Sequence, residues 1–394
     1  MNNETVLTAS VGRWRTWLAV IALGISTFTI VTSELAPVGM LGMLANGLHQ
    51  TESAAGLVVT AYGWVGALAA LCSAWLPAGI PRKGMLVGLM LTMAVSSLLA
   101  AHAGSMSAFV SARMAGAIAH GAFWAMIGSV AGQLVPKEQL GRATSIIFGG
   151  VSAASVLGVP LVSALAGSQG WREAFTTITL LSLLAAVVLA GTLPALSAPA
   201  GHTPQLGRGL RSHPQMPILY VATAVIISAH FAAFTYIQPM LTGLQDIPYS
   251  GISALLLVSG LAGLVGNVIA GKLIDRHLKR LITLSLFISA VALAVLGLKG
   301  LAPLPVAVIT VLLGLWGAAI AVIFVGLQTW VLRNAGDAAQ SASALYVAIF
   351  NAAIGFGALI GGRLLAIAGI QGMVLVSAAL LLAGGLLIVR LTKP

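Results

Sequence analysis

The chain has 394 residues, of which 59% are hydrophobic and only 7% are charged. A soluble domain carries about 25% charged residues, so this composition excludes a water-covered globule and leaves lipid as the solvent for most of the surface. The net charge of +11 raises nucleic acid as a partner, which the placement of the basic residues then argues against.

Apolar runs of roughly 20 residues, the length that crosses a bilayer as a helix, recur along the whole chain. A first set is predicted at 17–41, 54–76, 85–102, 107–133, 143–166 and 174–193. A second set follows at 217–241, 251–274, 281–298, 305–332, 342–367 and 373–389. The expectation is an all-α membrane protein with twelve transmembrane helices in two six-helix halves. The stretch between the sets holds Pro194, Pro199, Pro204 and Pro214 with glycines and two arginines, the composition of a solvated linker. The halves are therefore placed at 1–195 and 217–394, with 196–216 as the linker.

The first apolar run is too long for the core of a signal peptide and lacks a small-residue cleavage site, so it is read as a retained helix. Cys72 is the one cysteine, lies inside a predicted span and has no partner for an intrachain disulfide. With the N-terminus placed in the cytoplasm, every Lys and Arg falls at a cytoplasmic end except Arg113, Arg172, Lys299 and Arg363. That asymmetry is the positive-inside pattern, which puts both termini inside and accounts for the basic balance without nucleic acid.

A charge at mid-span costs at least about 2.5–3.5 kcal/mol on insertion scales, so intramembrane ionisable groups are functional candidates. Four stand well inside the spans: Glu34 in span 1, Arg113 and His120 in span 4, and His230 in span 7. At about 1.5 Å per residue, Glu34 and Arg113 share a depth roughly 10 Å from the outer surface, and both histidines lie roughly 20 Å deep. Arg113, Ala117, His120 and Trp124 follow one helical stripe. Glu34 with Arg113 reads as a proton-coupling pair or as a static pair that fixes helix register. The histidines read as cargo contacts or as hydrogen-bonding groups between packed helices. Trp124, Phe123, Trp64 and Tyr236 are candidate cavity aromatics, with plain packing as the other reading.

Gly149, Gly150, Gly158 and Pro160 in span 5, and Gly355, Gly357, Gly361 and Gly362 in span 11, sit at like positions in the two halves and suit hinge surfaces. Pro37 and Pro239 match in the same way and are expected to kink spans 1 and 7. Aligning them sets Glu34 opposite Tyr236, so the halves read as parallel repeats with the ionisable site kept on one side.

These motifs resemble the major facilitator superfamily, and within it the drug/proton antiporter group of SotB-like sugar efflux transporters. The resemblance is carried by TSELAPVG at 32–39, RMAGAIAHGAFW at 113–124 and AHFAAFTYIQP at 229–239, with GVP at 158–160, GWREAF at 170–175 and NAAIGFG at 351–357. It implies proton-coupled efflux of small sugars, such as arabinose or thiogalactoside-like solutes, across the bacterial inner membrane. A multidrug/proton antiporter and a passive facilitator of a neutral solute are the alternatives. No catalytic motif of an enzyme is present in the sequence. The implied partners are a small-molecule substrate, protons and the lipid bilayer, with no nucleic acid, no cofactor or metal, and a monomeric state. Glu34 and Arg113 are then the proton-coupling residues. His120, Trp124, His230, Tyr236, Gln238 and Asn351 are the candidate substrate contacts, because a hydroxyl-rich ligand needs several donors and acceptors and a flat face.

The resemblance also implies a conformational latch in two copies. AGIPRK at 78–83 keeps Arg82 and Lys83 but has no Asp, whereas GKLIDRHLKR at 271–280 is complete, with Gly271, Asp275, Arg276, Lys279 and Arg280. The second copy is expected to dominate, and Gly158 and Pro160 are expected to belong to the same conformational machinery.

Overall fold

The computed structural model describes residues 13–72, 81–136, 139–196, 206–245, 247–298 and 304–392. Pro199 and Pro204 of the expected linker, residues 78–80 of the first latch copy, and Lys137, Lys299 and Lys393 lie outside the described residues.

The chain begins with α1 (Arg13–Gly39), α2 (Leu41–Gly47), α3 (Glu52–Cys72), α4 (Arg82–Ala101) and α5 (Met106–Leu134). It continues with α6 (Leu140–Ala153), a π-helical turn at Ala154–Gly158, α7 (Val159–Gln169), α8 (Trp171–Thr192) and the short α9 (Leu206–Leu210). The remainder is α10 (Met216–Phe234), α11 (Ile237–Gln245), α12 (Tyr249–Gly297), α13 (Val306–Ala335) and α14 (Ala339–Arg390). The described residues contain no strand.

Nine stretches among the described residues are long and apolar enough to cross a membrane. The predicted turns at 275–280 and 368–372 do not appear as loops. Helical hydrogen bonding carries α12 past His277 (φ −131, ψ 25) and α14 past Gly369 (φ 66, ψ −176), so each joins two predicted spans through a kink. The Gly369 backbone is left-handed, a conformation that costs glycine nothing and other residues a steric clash.

Proline accounts for the other breaks. Pro37 lies in the last turn of α1, where it has no N–H to give the carbonyl four residues back, and the chain turns at Met40 before α2. The span predicted at 217–241 is interrupted at Thr235 and Tyr236 ahead of Pro239. In the span predicted at 143–166, the π turn ends at Gly158, two residues before Pro160, and absorbs the missing donor by widening the helix.

Two ends of the bundle are distinguished by what ties them. One gathers the first and last described residues: Lys279 Nζ donates to Val389 O (2.7 Å), Tyr220 donates to Ala342 O (3.0 Å), and the Arg142 guanidinium covers the Trp17 ring (4.6 Å). At the far end Gly42 N donates to Gln238, Ser53 Oγ donates to Gly362 O (2.8 Å), and Tyr236 donates to Ala358 O (2.8 Å). The apolar cores follow this division. One cluster spans Ala19 to Leu196 and a second packs around Phe109, Trp171 and Phe175. The third draws on residues from Met216 to Leu391 and takes in Val38, Leu41, Ala45, Ala55, Val59 and Val159. Those residues of α1 to α3 lie toward the far end, so α1 to α3 share a core there with helices from α10 onward.

Close approach of α3 and α14 requires two glycines. A Cβ at Gly63 would lie 2.8 Å from Asn351 O and 2.9 Å from Gly355 N, and a Cβ at Gly355 would lie 2.7 Å from Thr60 O. Gly63→Ala is expected to destabilise by about 1–3 kcal/mol, the usual cost of overpacking, and to lower the thermal midpoint of the purified protein. Gly271→Ala, with nothing within 4 Å of the new carbon, should leave that midpoint unchanged. Equal midpoints for both variants would remove the glycine crossing as a packing constraint.

Candidate functional site

The site forms where α1, α3, α5 and α14 meet. Pro37 withholds a hydrogen-bond donor from the carbonyl of Ser33, one turn earlier on α1. That carbonyl instead accepts from Arg113 Nη2 at 2.7 Å, while Arg113 Nη1 donates to Ser33 Oγ at 2.9 Å. Arg113 is fully buried, with its guanidinium 4.5 Å from the Tyr62 ring centroid and 5.4 Å from that of Phe175. One serine accepts from both Nη groups and two aromatic faces cover the charge, while Nε is buried without a partner.

Glu34 follows Ser33 on α1 and takes a different partner. Its Oε2 lies 3.7 Å from His120 Nδ1, with both side chains nearly buried. Among the described residues, Arg113 and Glu34 make no direct ion pair; they interact through space. On the other side of the histidine ring, Nε2 lies 3.2 Å from Asn351 Oδ1 on α14. Tyr62 meets His120 edge-on at 5.5 Å and Trp124 does so at 6.3 Å. The structure therefore brings together Glu34, His120, Trp124 and Asn351, with Arg113 held beside them.

His230 stands apart from that group. Phe231, Phe234, Trp316 and Phe324 surround it at 4.9–5.5 Å, with the Phe234 ring stacked at 19°, and its Nδ1 is buried without a partner. Tyr236 and Gln238 also lie elsewhere, at the far-end seam, bonded to Ala358, Gly42 and Thr242.

The latch residues collect at the end that holds the first and last described residues. Asp275 pairs with Arg333 of α13, and Lys279 donates to Val389 O and Leu391 O, so this copy fastens α12 to α13 and to the end of α14. Arg276 and Arg280 are exposed beside it, and Gly271 has open space around it. Arg82 and Lys83 open α4, where the Arg82 backbone N–H donates to Leu196 O at 3.4 Å and Arg82 Nε is buried without a partner. At the π turn, a Cβ on Gly158 would strike the Thr32 side chain, so glycine lets α1 approach; Pro160 follows at the start of α7.

Ser33 and Tyr62, the residues that hold Arg113, do not stand out in sequence, where a serine and a tyrosine within a span read as ordinary. The available signal was the spacing of Pro37, which identifies the freed carbonyl.

The sequence matches the profile of the Major Facilitator Superfamily over residues 19–341 and again over 239–394. Three similar solved structures cover nearly the whole chain. The xylose transporter XylE from E. coli, in a partially occluded inward open conformation, has a TM-score of 0.73 at 16% identity and covers 96% of this chain and 97% of its own. A mutant of the nucleoside transporter NupG gives 0.78 at 13%, over 96% and 100%. A bacterial homolog of the human lysosomal transporter Spinster, inward-facing and occupied, gives 0.73 at 13%, over 95% and 96%. At these identities the likeness is one of fold.

The aromatic nest predicts how His230 responds to substitution. His230→Phe loses no hydrogen bond at Nδ1 and removes an unsatisfied buried atom, whose desolvation costs about 1–3 kcal/mol. It should match or exceed the parent in thermal unfolding, whereas His230→Ala should fall below it by opening a cavity. A marked loss in His230→Phe would mean that the imidazole makes a polar contact essential to the fold.

Proposed function

We propose, because the chain belongs to the Major Facilitator Superfamily and is therefore a membrane transporter of small solutes rather than an enzyme, that it is a proton-driven exporter of small neutral solutes. The carrying observation is Glu34: a carboxylate deep in the bundle, with one close ionic partner in His120, while Arg113 is engaged by Ser33. A passive facilitator has no use for such a group. Gaining or losing a proton there changes the cost of enclosing the site away from water, which lets the proton gradient bias two access states.

Twelve spans are the reading we adopt. The Ser250–Gly297 and Ser341–Arg390 stretches, 48 and 50 residues long, are each long enough to cross twice and each bend once. The 29-residue α5 supplies a further crossing. With basic residues concentrated on the side of the termini, that side is cytoplasmic, and the membrane is the bacterial inner membrane. The seam between halves at the far end then corresponds to closure on the outer side. The halves move as 1–195 and 217–394, and the chain acts as a monomer.

A sugar is the favoured cargo. Thr60 Oγ1 and Trp64 Nε1, one turn apart on α3, are buried polar atoms with no protein partner, and a ligand rich in hydroxyls matches such groups. A cationic drug would want more acid than one glutamate already facing a histidine, so multidrug export is the second reading.

Glu34→Gln in proteoliposomes should abolish efflux driven by a pH gradient while leaving counterflow intact. Full proton-driven transport by that variant would remove Glu34 from the mechanism. Running the assay with arabinose, a thiogalactoside and a hydrophobic cation decides the cargo class, because movement of the cation alone would replace sugar export with drug export.

A further inference from the structure

Resting on the reading of Glu34 as the protonation site, we propose that Glu34 and His120 hold a single proton between them and that Asn351, from the other half, keeps it there by fixing the histidine tautomer.

Asn351 Nδ2 donates to Val347 O, one turn back on α14, at 2.9 Å. Reversing the amide would turn its oxygen toward that carbonyl, two acceptors without a hydrogen between them, so the orientation is fixed by chemistry. Oδ1 therefore faces His120 Nε2 at 3.2 Å. An amide oxygen can only accept, so Nε2 carries the hydrogen.

Neutral imidazole has one N–H. With that hydrogen on Nε2, Nδ1 presents a lone pair, and what it faces is Glu34 Oε2 at 3.7 Å. Nδ1 is buried and has no other partner. A lone pair against an ionised carboxylate repels, whereas one added proton makes the contact attractive, as imidazolium with carboxylate or as carboxylic acid with imidazole. The fastened site is thus built to hold one proton. The other groups facing His120 are the rings of Tyr62 and Trp124, and the Tyr62 hydroxyl donates to Gly116 O at 3.3 Å. Arg113 is the remaining charge near Glu34, and it is bound to Ser33.

Asn351 lies on α14 and Glu34 and His120 lie on α1 and α5, so the halves cannot part at this level without breaking the Nε2–Oδ1 bond. Once Asn351 withdraws, the imidazolium gives its Nε2 proton to water and keeps the other on Nδ1, where it donates to ionised Glu34. One proton leaves, one hydrogen bond is exchanged for another, and charge is conserved between the site and water. Release of the proton and separation of the halves become a single event. Asn351 is in this scheme a positioning residue for the proton.

The test is 15N-histidine NMR of the full chain in lipid bilayers as a function of pH, with His120 assigned by the signals lost in His120→Gln. The neutral ring in the parent protein should carry its hydrogen on Nε2. Glu34→Gln and Asn351→Ala should each lower the pH of His120 protonation by about one unit, a tenfold loss of proton affinity, and Asn351→Ala should also shift the neutral ring toward the Nδ1–H tautomer. Asn351→Gln, which retains an acceptor, should recover part of the shift. A parent ring already in the Nδ1–H form, or a midpoint indifferent to Glu34→Gln, would overturn the shared proton, and both are readable if Asn351→Ala fails to fold. The transport reading fails separately: proton-driven efflux retained by Glu34→Gln would sink it whatever the tautomer.

Discussion

The arrangement of the site depends on one carbonyl. Pro37 denies Ser33 O its helical donor, and Arg113 Nη2 takes that place at 2.7 Å. A guanidinium buried away from water is costly unless its donors are met; here the Ser33 carbonyl and hydroxyl each take one donor, the Tyr62 and Phe175 rings lie against the charge, and Nε is buried without a partner. The neighbouring Glu34 is left to His120. Had Arg113 paired with Glu34 directly, the carboxylate would be locked in its ionised form and poorly suited to exchanging a proton.

The site is continuous with the contacts that join the halves. His120 reaches Asn351, whose own carbonyl packs against Gly63, and Gly355 one turn further on α14 packs against Thr60 and Trp64. From there the seam continues through Ser53 with Gly362 to Gln238 with Gly42 at the far end. Along the α12 side, Ser163 with Ser253 (3.2 Å) and Ser152 with Asn267 (3.1 Å) add small polar contacts. Hydrogen bonds between uncharged groups are worth about 0.5–1.5 kcal/mol each, a modest holding energy for each contact along the proposed seam.

Much of the fold was legible because lipid imposes a simple rule: long apolar runs must be helices. Boundaries were less legible where a kink replaced a loop. The segment around Asp275 reads as a polar turn, yet helical hydrogen bonding persists through it and only His277 leaves helical geometry. For the site, intramembrane charge identified Glu34, Arg113 and His120, since nothing else about a span tolerates them. Sequence depth alone set Glu34 against Arg113 and His120 level with His230. Depth says nothing of rotation about a helix axis, and the structure turns Arg113 to Ser33 and encloses His230 among Phe231, Phe234, Trp316 and Phe324. Asn351 gained its place through a contact across the halves, which no local pattern encodes.

If a proton at Glu34 governs whether the proposed halves stay joined at the far end, the distance across that end must follow pH. Spin labels at the exposed positions Gln50 and Gln371, with Cys72 replaced first, report that separation by pulsed electron resonance. The distance distribution should shift between short and long populations with pH in the parent protein and stay fixed across the same range in Glu34→Gln. A distribution in Glu34→Gln that still follows pH as the parent does would contradict it.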